Sequence, residues 1–555
     1  MSPARLLPLL LTIAILLAAP PALSQENNAV PGEKSPASRA APPPDVSAMA
    51  DLVVLSRGRM KPLGTFASET LVHFFGTDRP LGKETLKAYA SILFEPEAWL
   101  EVEALVPEED LARRLFEGRS LLCASAVFEA RTAMVDFLGK AEDMAAAHGR
   151  GEPYNGKEVT RDDLDENNTI RNQIMSLFDR AARLHNLSTE FLFLPDPESR
   201  SGEWFGIEEA RAALDGGNEA LRPGIDAHDG LRRSYLTGES AAFEKNLAAL
   251  KMAQRGIAAL PTVSNPVLSE GLVRFELLYY SVDFRKVGLA IFIAAGLFYI
   301  LAAFSKKRAA AAAALFLFTL GILWNCWIVG GHTVIAGRLP LKNLQEVYLV
   351  VLFFVPLIGA LLHFLLKNAV YSGMAAGLTV IGFVGSLFLP AEGYMIGPLV
   401  AILHSPWRQV HILTIMLSYA ILLVAFGLHV TFLVLVTFFP RARTRTEGKT
   451  VYSPAAFDLN DKAYHMVAWG FLFLTIGIAT GAAWGHSSWG RYWGWDPKEV
   501  WATVAWAIYA LFLHLRLFFR TPKETLALIN IIGYAAIIFT YFGVTYLLPG
   551  LHAYS

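Results

Sequence analysis

The C-terminal half of the chain alternates between long apolar runs and short polar gaps. From Val287 onward the runs contain few charged residues. A helix needs about 20 apolar residues to cross the hydrocarbon of a bilayer, so each run is a candidate membrane span. The pattern predicts eight spans, at roughly residues 287–304, 309–329, 346–366, 373–390, 412–439, 464–484, 500–518 and 525–547. We therefore expect an all-α polytopic membrane protein.

The N-terminal half is more polar. Residues 51–284 contain amphipathic stretches, such as 108–116 and 126–147, which predict a mostly helical soluble domain. Residues 25–50 are rich in Pro, Ala and Ser, the composition of a linker. The first 24 residues are typical of a secretory signal peptide, and if uncleaved they would form an N-terminal anchor. Both interpretations place the soluble domain outside the cytoplasm.

The charges in the gaps between spans predict the orientation of the helices. With the soluble domain outside, the odd-numbered gaps face the cytoplasm, and each of them is basic, as the positive-inside rule requires. Arg285 and Lys286 are the one discordant pair. We expect a multi-pass protein of the bacterial inner (cytoplasmic) membrane, with its C-terminus on the extracytoplasmic side. The basic gaps contain Lys306, Lys307 and Arg308, then Lys367, then residues 441–449, then residues 516–523.

Composition excludes several classes of function. Hydrophobic residues make up 54% of the 555 residues and charged residues only 17%, which excludes an ordinary soluble enzyme. The net charge of -1 offers no basic excess to neutralise nucleic-acid phosphates. Cys123 and Cys326 lie too far apart in the sequence to indicate a disulfide framework or a cysteine metal cluster. The chain has no CxxCH motif, so any haem that it handles is held by side-chain coordination.

An aromatic segment separates two of the predicted spans. Residues 489–501 read WGRYWGWDPKEVW. Flat aromatic rings beside Arg491 and Lys498 suit a flat apolar ligand that carries carboxylates, such as haem. An interfacial belt of Trp and Tyr is the alternative, and composition alone favours it. Residues 496–499, Asp-Pro-Lys-Glu, also match a helix N-terminus, with Asp496 at the N-cap.

The predicted topology sorts the histidines. Those that fall on the outer side with the aromatic segment are His332, His404, His411, His486 and His552. His514 lies inside the seventh span, about 20 Å along the helix from Trp501. His363 and His429 also lie inside spans. A buried intramembrane histidine usually faces a partner or a pathway, and topology alone does not choose a ligand among these three.

Five segments of the membrane half carry a family resemblance. They are WGRYWGWDPKE at 489–499, LFLHLR at 511–516, FGVTYLLPGLHAY at 542–554, GRLPLKNLQE at 337–346 and SPWRQVH at 405–411. Together they resemble the CcsA-type cytochrome c assembly proteins of the system II pathway, a haem-handling family with a WWD domain. The resemblance covers about residues 285–555, with the tryptophan-rich motif at 484–499, and weaker similarity extends to 56–65 and 275–280.

The resemblance implies a membrane partner. Fused members of the family also contain a CcsB, or ResB-like, half, and no such multi-span half precedes the soluble domain in this sequence. A separate CcsB/ResB-type membrane protein is therefore implied. His514 corresponds to the family's intramembrane haem ligand, and the transmembrane histidine that the family pairs with this position belongs to that partner.

The resemblance also implies roles at the outer surface. His411 and His552 correspond to two external histidines that flank the tryptophan domain, where they would be axial ligands of haem iron. Separately from the resemblance, the charges of Arg491 and Lys498 make either one a candidate to pair with the haem propionates. The remaining residues implied in haem binding are Trp484, Trp489, Tyr492, Trp493 and Trp495. The residues expected to carry catalysis are His411, His552, Trp489, Trp493, Trp495 and Asp496. His363, His429 and His465 match no family ligand.

The function implied is that of a holocytochrome c synthase, or haem lyase, working within a complex. Haem b would be its transported, non-covalently held substrate, and apocytochrome c with a CxxCH motif its acceptor. Thiol-reducing proteins are further candidate partners, and nucleic acid is not. Two alternatives stay open. One is a haem exporter or haem-binding chaperone without thioether-forming activity. The other is a membrane subunit of a respiratory complex, with a haem held by two of His363, His429 and His514.

Overall fold

The structure, a computed structural model, describes residues 42–185, 191–199, 202–263, 268–389, 391–399, 403–446 and 449–548. These residues form two compact units, which meet in the chain between Ser281 and Val282. The signal or anchor segment predicted at 1–24, most of the predicted linker and His552 lie outside the described residues. Helices dominate both units, which confirms the all-α fold class.

The unit at residues 42–281 is mostly helical. Its helices, within the described ranges, are α1 (Leu63–Phe75), α2 (Thr85–Phe94), α3 (Pro96–Leu100), α4 (Glu109–Leu115), α5 (Ala124–Glu129), α6 (Arg131–Arg150), α7 (Arg161–His185), α8 (Ile207–Asp215), α9 (Arg222–Thr237), α10 (Ser240–Ala258) and α11 (Glu270–Tyr280). Two antiparallel hairpins accompany them, β1 (Val53–Ser56) with β2 (Arg59–Pro62), and β3 (Leu194–Pro195) with β4 (Trp204–Phe205). The amphipathic stretch predicted at 126–147 is split at Ala130 between α5 and α6.

The first hairpin joins two distant parts of this unit. Arg57 and Gly58 have φ angles of 50° and 75°, and a two-residue turn with positive φ at both positions matches the right-handed twist of the strands. The turn leads to Arg59, whose guanidinium donates to both carboxylate oxygens of Glu276 at 2.8 and 2.9 Å. Glu276 is only 1% exposed. The segments at 56–65 and 275–280 therefore meet in the fold.

The unit that follows Ser281 is a bundle of long apolar helices. They are α12 (Phe284–Ser305), α13 (Arg308–Ala336), α14 (Leu344–Leu366), α15 (Val370–Ser386), α16 (Pro406–Phe438), α17 (Pro454–Trp489), α18 (Pro497–Phe518) and α19 (Lys523–Ile538), which continues through a π-helical turn (Phe539–Gly543) into α20 (Val544–Leu547). A hairpin of β5 (Arg443–Thr446) and β6 (Lys449–Tyr452) connects α16 to α17.

The lengths of these helices show a multi-pass membrane protein. Within the described ranges, seven helices are long and apolar enough to cross a membrane, with α19 and its continuation counted as one. They match seven of the eight predicted spans. The remaining prediction, 373–390, corresponds to α15, which is apolar but has only 17 residues. That length is the lower limit for a span.

Helices α16 and α17 are antiparallel and pack closely. Ser418 Oγ donates to the carbonyl of Gly470 at 2.7 Å, and the His411 ring is hydrogen-bonded to the carbonyl of Gly477 at 2.7 Å. The members of the two pairs are seven residues apart on each helix, close to two full turns, so both pairs lie on one shared face. A Cβ atom on Gly477 would lie 2.5 Å from Cδ1 of Ile415. Glycine at 477 is therefore what allows α16 to approach.

A turn with unusual backbone joins α17 to α18. Helix α17 ends at Gly490, whose φ is 72°, and Trp495 also has a positive φ, of 57°. That conformation is uncommon for a bulky residue. Asp496 then caps α18, with Pro497 in the first turn and Glu499 completing a capping box. The helix start predicted from the Asp-Pro-Lys-Glu sequence is confirmed, and it fixes the tryptophan segment at one end of the bundle.

Candidate functional site

A mainly apolar cavity lies beside the tryptophan segment. Its walls come from α16, α17, α18, the π-helical turn after α19 and the segment that precedes α14. The apolar part of the wall includes Val347, Ile412, Ile415, Met416, Ile478 and Ala482. The aromatic part includes Trp484, Trp489, Tyr492 and Trp493. Apolar walls with flat rings suit a flat apolar ligand.

His411 lies in the first turns of α16 and forms part of this wall. Its Nδ1 is 2.7 Å from the carbonyl oxygen of Gly477. A carbonyl oxygen only accepts, so this bond places the proton of a neutral imidazole on Nδ1 and the lone pair on Nε2. The ring stacks on Trp484, with 6.1 Å between centroids and 24° between planes. The residue therefore has the tautomer and the fixed orientation that a metal-ligating histidine needs.

The aromatic residues of the motif divide into two groups. Trp484 is 4% exposed and packs against Trp489 at 5.1 Å between centroids, and both line the cavity. Trp493 also lines it and meets Trp495 edge to face at 6.2 Å. Trp495 itself is 77% exposed and lies outside the cavity wall. The rings of Trp484, Trp489 and Trp493 are thus available to a ligand in the cavity, while Trp495 faces outward.

The acidic residues of the motif hold the turn together. Asp496 is 7% exposed, and its carboxylate accepts a hydrogen bond from the backbone N–H of Lys498 at 3.0 Å. Glu499 reaches back to accept from the backbone N–H groups of Gly494 and Asp496 at 2.8 and 3.1 Å. Lys498 and Glu499 line the cavity, and Asp496 does not. Asp496 acts here as a helix cap beneath the tryptophan segment.

A buried ion pair supports the part of the cavity wall that precedes α14. Glu346 is 0% exposed, and Arg338 donates to its two oxygens at 2.7 and 2.9 Å. The backbone N–H of Lys342 donates to the same carboxylate at 2.8 Å, and Nε2 of His332 is 3.4 Å from it. The carboxylate therefore folds the segment before α14 against the bundle, where Leu341, Lys342 and Asn343 line the cavity. Glu346 is not among the site residues predicted from the sequence, although an acidic residue at the start of an apolar run is a signal of function or partnership.

Arg408 is a second residue that was not predicted from the sequence. It is 2% exposed and lines the cavity. Its Nε donates to the carbonyl of Leu403 at 2.7 Å and its Nη1 to the carbonyl of Leu341 at 2.6 Å. It precedes His411 by three residues on α16, a spacing that places both on one helix face. That spacing, in the segment SPWRQVH, was the available signal.

Comparison with known proteins identifies the membrane unit. Residues 284–552 match the model of the family described as cytochrome C assembly protein. The relatives named cytochrome c biogenesis protein CcsA include one from Thermosynechococcus vestitus, 32% identical over 42% of this chain and 82% of the relative, and one from Synechococcus sp. strain CC9605, 34% identical over 45% and 86%. The chain belongs to this family. The CcsA of Chlamydomonas reinhardtii is 34% identical over 40% of this chain, and the match spans 62% of that relative.

In this CcsA-type protein the structure brings together part of the predicted site. His411, Trp484, Trp489, Tyr492, Trp493 and Lys498 line one cavity. Arg491 is exposed and, like Trp495, is not in the cavity wall. His552 lies outside the described residues, so the proposed pairing of His411 with His552 stays a prediction.

His514 is not part of the cavity. It is exposed on α18, and its ring lies 5.0 Å from that of Phe518 and 5.6 Å from that of Phe519. A second surface histidine, His486, stacks on Tyr492 at 4.3 Å, and His404 and His465 are also exposed. The position of His514 on the outside of the bundle leaves its ring accessible to a helix of another membrane protein.

Two intramembrane histidines have partners within the bundle. Nδ1 of His363 is 2.7 Å from Oγ of Ser372. His429 is 0% exposed, and the side-chain amide of Asn530 donates to its Nδ1 at 2.8 Å. These hydrogen bonds give both residues a structural role in the packing of α14 with α15 and of α16 with α19.

Proposed function

We propose that this CcsA-type protein receives reduced haem, presents it at the outer face of the membrane and catalyses its covalent attachment to the CxxCH motif of an apocytochrome c. A CcsB/ResB-type membrane protein acts with it. The names of the relatives, cytochrome c biogenesis protein CcsA, support the process. The observation that carries the proposal is the imidazole of His411, fixed between Gly477 and Trp484 in an aromatic cavity.

The residues of the cavity fit haem on three counts. The Nε2 lone pair of His411 is a good ligand for haem iron. The rings of Trp484, Trp489 and Trp493 offer flat apolar surface for a porphyrin. Lys342, Arg408 and Lys498 line the same space and offer cations to the carboxylates of haem. His552 supplies the second axial position in this proposal.

The proposed reaction is an addition, with no leaving group and no net oxidation. The sulfur of each CxxCH cysteine bonds to one carbon of a haem vinyl, and the thiol hydrogen goes to the other carbon. The chain contributes by orientation, because a ring held in one pose turns the encounter of vinyl and thiol into a positioned, nearly unimolecular event. The histidine of CxxCH then takes the place of one protein ligand, so the product can leave.

His514 forms an earlier haem site in this proposal. Its ring is exposed on α18 at the position of the family's intramembrane ligand, and a histidine of the CcsB/ResB-type partner would supply the other ligand. Haem would then pass from this site to the cavity at the outer end of the bundle.

The test replaces His411 in the full chain, co-expressed with a ResB-like protein and a c-type cytochrome. His411→Ala should lower covalent haem attachment at least tenfold, because iron loses one ligand and the ring its fixed pose. The measurement is haem staining of the cytochrome after denaturing electrophoresis. His404→Ala and His486→Ala are matched controls on the same side in the predicted topology, and both should retain attachment.

Two results would contradict the proposal. The first is full haem attachment in His411→Ala. The second is an equal loss of attachment in His411→Ala, His404→Ala and His486→Ala. Either result would show that His411 is not the specific iron ligand. A wild-type complex that binds haem but never yields covalent cytochrome c would instead support a haem exporter or chaperone.

A further inference from the structure

A further cavity lies at the end of the bundle opposite the tryptophan segment, where α17 begins. This hairpin cavity is enclosed by the β5–β6 hairpin and by the turn from α18 to α19. Its volume of about 700 Å³ lies within the range of small-molecule sites. The described residues of its wall are polar or charged except for one proline, and they are Arg443, Thr444, Thr450, Tyr452, Thr521, Pro522, Lys523 and Glu524.

Side chains of the hairpin contact the first turn of α19. Arg443 lies directly opposite Tyr452 in the register of the two strands, so both side chains are on one face of the hairpin. Nη1 of Arg443 is 3.1 Å from Oε1 of Glu524, and the Tyr452 hydroxyl donates to Oε2 of Glu524 at 2.7 Å. These contacts hold the hairpin against the turn and define two sides of the cavity.

Lys523 gives the wall an excess of positive charge. Two of the described wall residues are cationic, Arg443 and Lys523, and one is anionic, Glu524. The ammonium of Lys523 lies over the rings of Tyr452 and Phe457, at 5.1 and 3.7 Å from their centroids. Aromatic rings orient a cation but carry no net charge. Because Glu524 is paired with Arg443, the net charge of +1 lies at Lys523.

The charges around the hairpin cavity do not cancel this excess. Asp461 and Arg516 act on Lys523 with opposite signs. Nζ of Lys462 is also within 3.3 Å of the Asp461 carboxylate, so this acidic residue has a cation of its own. Arg520 is exposed in the turn between α18 and α19. The turn therefore attracts an anion.

The hairpin cavity lies at the level where two membrane helices end. Helix α18 ends at Phe518 and α19 begins at Lys523, and α18 and α19 with its continuation are each long and apolar enough to cross a membrane. The side chains of Phe457, Phe518 and Phe519 are exposed at the same end of the bundle. Such side chains suit hydrocarbon, whereas the charged wall suits the headgroup region. A phospholipid needs a polar and an apolar surface side by side in this way.

We propose that the hairpin cavity binds the headgroup of an anionic phospholipid, with the phosphodiester at Lys523 and the acyl chains along Phe457 and Phe519. A phosphodiester carries one negative charge, which matches the net charge of the wall. Basic pockets between membrane helices are known to bind such headgroups. The hydroxyls of Thr444 and Thr450, which line the cavity, provide further donors to phosphate oxygens. In the predicted topology the lipid belongs to the cytoplasmic leaflet, and this site is separate from the proposed haem cavity.

The test measures phospholipid binding to the delipidated full-length protein in detergent. The probes are phosphatidylglycerol, which is anionic, phosphatidylcholine, which has no net charge, and inorganic phosphate. An apparent Kd is obtained from the rise in the midpoint of thermal unfolding as each probe is added. Wild type should bind phosphatidylglycerol about tenfold tighter than phosphatidylcholine, since contacts with charged groups are the strong ones. Inorganic phosphate, which has no acyl chains, should give no rise at the same concentration.

Two variants of the wall should change the affinity for phosphatidylglycerol in opposite directions. Lys523→Gln removes the excess charge and should weaken binding about tenfold. Glu524→Gln removes the negative charge of the wall and should tighten binding several-fold, while its amide oxygen still accepts from Tyr452. A general disturbance of the turn would weaken binding in both variants. Lys307→Gln is the matched control, at an exposed lysine of another gap on the same side in the predicted topology, and should keep the wild-type affinity.

Three results would overturn the lipid site. The first is equal affinity of wild type for the two phospholipids, because the charge at Lys523 would then have no role. The second is a rise of the same size with inorganic phosphate, which would assign the cavity to a free anion. The third is weaker binding in both wall variants. If Lys523→Gln does not fold, as judged by circular dichroism, Glu524→Gln decides, and an affinity that does not increase in it overturns the proposal.

Discussion

His411 shows how neighbouring backbone fixes the orientation of an imidazole. The carbonyl of Gly477 fixes its tautomer, Trp484 fixes the plane of its ring, and Gly481 leaves room for it. A Cβ atom at 481 would lie 2.7 Å from Nδ1 of His411. The imidazole thus lies against bare backbone of α17, where a larger residue would displace it.

Gly481→Ala should therefore lower the haem that copurifies with the protein several-fold. Glycine in a helix interior is itself destabilising by about 0.5–1 kcal/mol relative to alanine, so a general loss of helix stability does not explain the effect. The measurement is the ratio of Soret to protein absorbance. Gly330→Ala is the matched control, because nothing lies within 4 Å of its added Cβ atom. Equal haem content in both variants would contradict the close contact at His411.

The residues that could be predicted from the sequence belong to a family motif, whereas those that could not be predicted are single buried charges. His411 and the tryptophans were predicted because a family motif contains them. Arg408 and Glu346 were not, because hydropathy averaged over a window hides a single buried charge. Their roles depend on contacts with Leu341 and Arg338, which the fold brings close. Only the folded structure shows that Arg408 and Glu346 shape the same cavity.

At the scale of the element, the turn from α17 to α18 connects two helix ends that the sequence marks clearly. Gly490 ends one helix, and Asp496 with Pro497 begins the next. Between them Trp495 adopts a left-handed conformation that costs free energy, of the order of 1–3 kcal/mol. The cap at Asp496 is one of the contacts that hold this strained turn in place.

Two substitutions at Asp496 should separate a structural from a catalytic role. Asparagine caps helices about as well as aspartate, whereas alanine costs about 1 kcal/mol. If the residue acts as a cap, Asp496→Asn should retain cytochrome c attachment and Asp496→Ala should lose much of it. The measurement is haem staining of the cytochrome, with the midpoint of thermal unfolding followed in parallel. Similar loss in both variants would assign the carboxylate charge itself to the reaction.

Hydropathy predicted where the helices cross but not where they end. The apolar run at 464–484 lies within α17, which extends from Pro454 to Trp489. Hydropathy detects only residues suited to hydrocarbon, while capping residues, here Ser453 and Gly490, set the ends of the helix. The same reason accounts for α13, which continues to Ala336, beyond the predicted end at 329.

At the scale of the whole molecule, the chain combines a helical unit at 42–281 with a membrane unit that matches the family. The family match begins at residue 284, so it leaves the first unit uncovered. The basic gaps between spans predict that the tryptophan segment faces outward and that the hairpin β5–β6 faces the cytoplasm.

Cysteine labelling in whole cells and in broken cells tests this orientation. In a background with Cys123 and Cys326 replaced by Ser, Ser487→Cys should react with an impermeant maleimide in intact spheroplasts. Thr450→Cys should react only after lysis. Both positions are exposed, so accessibility reports on the side of the membrane and not on burial. Reversed accessibility would place the proposed haem cavity on the cytoplasmic side.

The unit at 42–281 should lose stability in mild acid. His228 is 7% exposed and stacks on Phe193 at 5.1 Å, and burial lowers the pKa of its imidazole. The unfolded chain then takes up the proton first, near pH 6.5, so stability is present above that pH and is lost as pH falls below it. The slope of the free energy of unfolding against pH approaches about 1.4 kcal/mol per pH unit when one proton is taken up.

The test follows thermal unfolding of the full chain between pH 5 and pH 7.5. His228→Phe, which keeps an aromatic ring on Phe193, should flatten the pH dependence. His148→Gln, at an exposed histidine of the same unit, serves as the control and should keep the wild-type slope. A slope unchanged by His228→Phe would show that other groups cause the acid sensitivity.

The two hydrogen bonds between α16 and α17 also limit how the chain can change length in evolution. Each residue inserted into a helix rotates everything beyond it by about 100°. One insertion between His411 and Ser418 would keep Ser418 opposite Gly470 and turn the imidazole away from Gly477 and out of the cavity. The hairpin β5–β6, which joins the two helices, carries no such constraint. Homologues that keep a working cavity should therefore vary in length at this hairpin and hold residues 411–418 and 470–477 free of insertions and deletions.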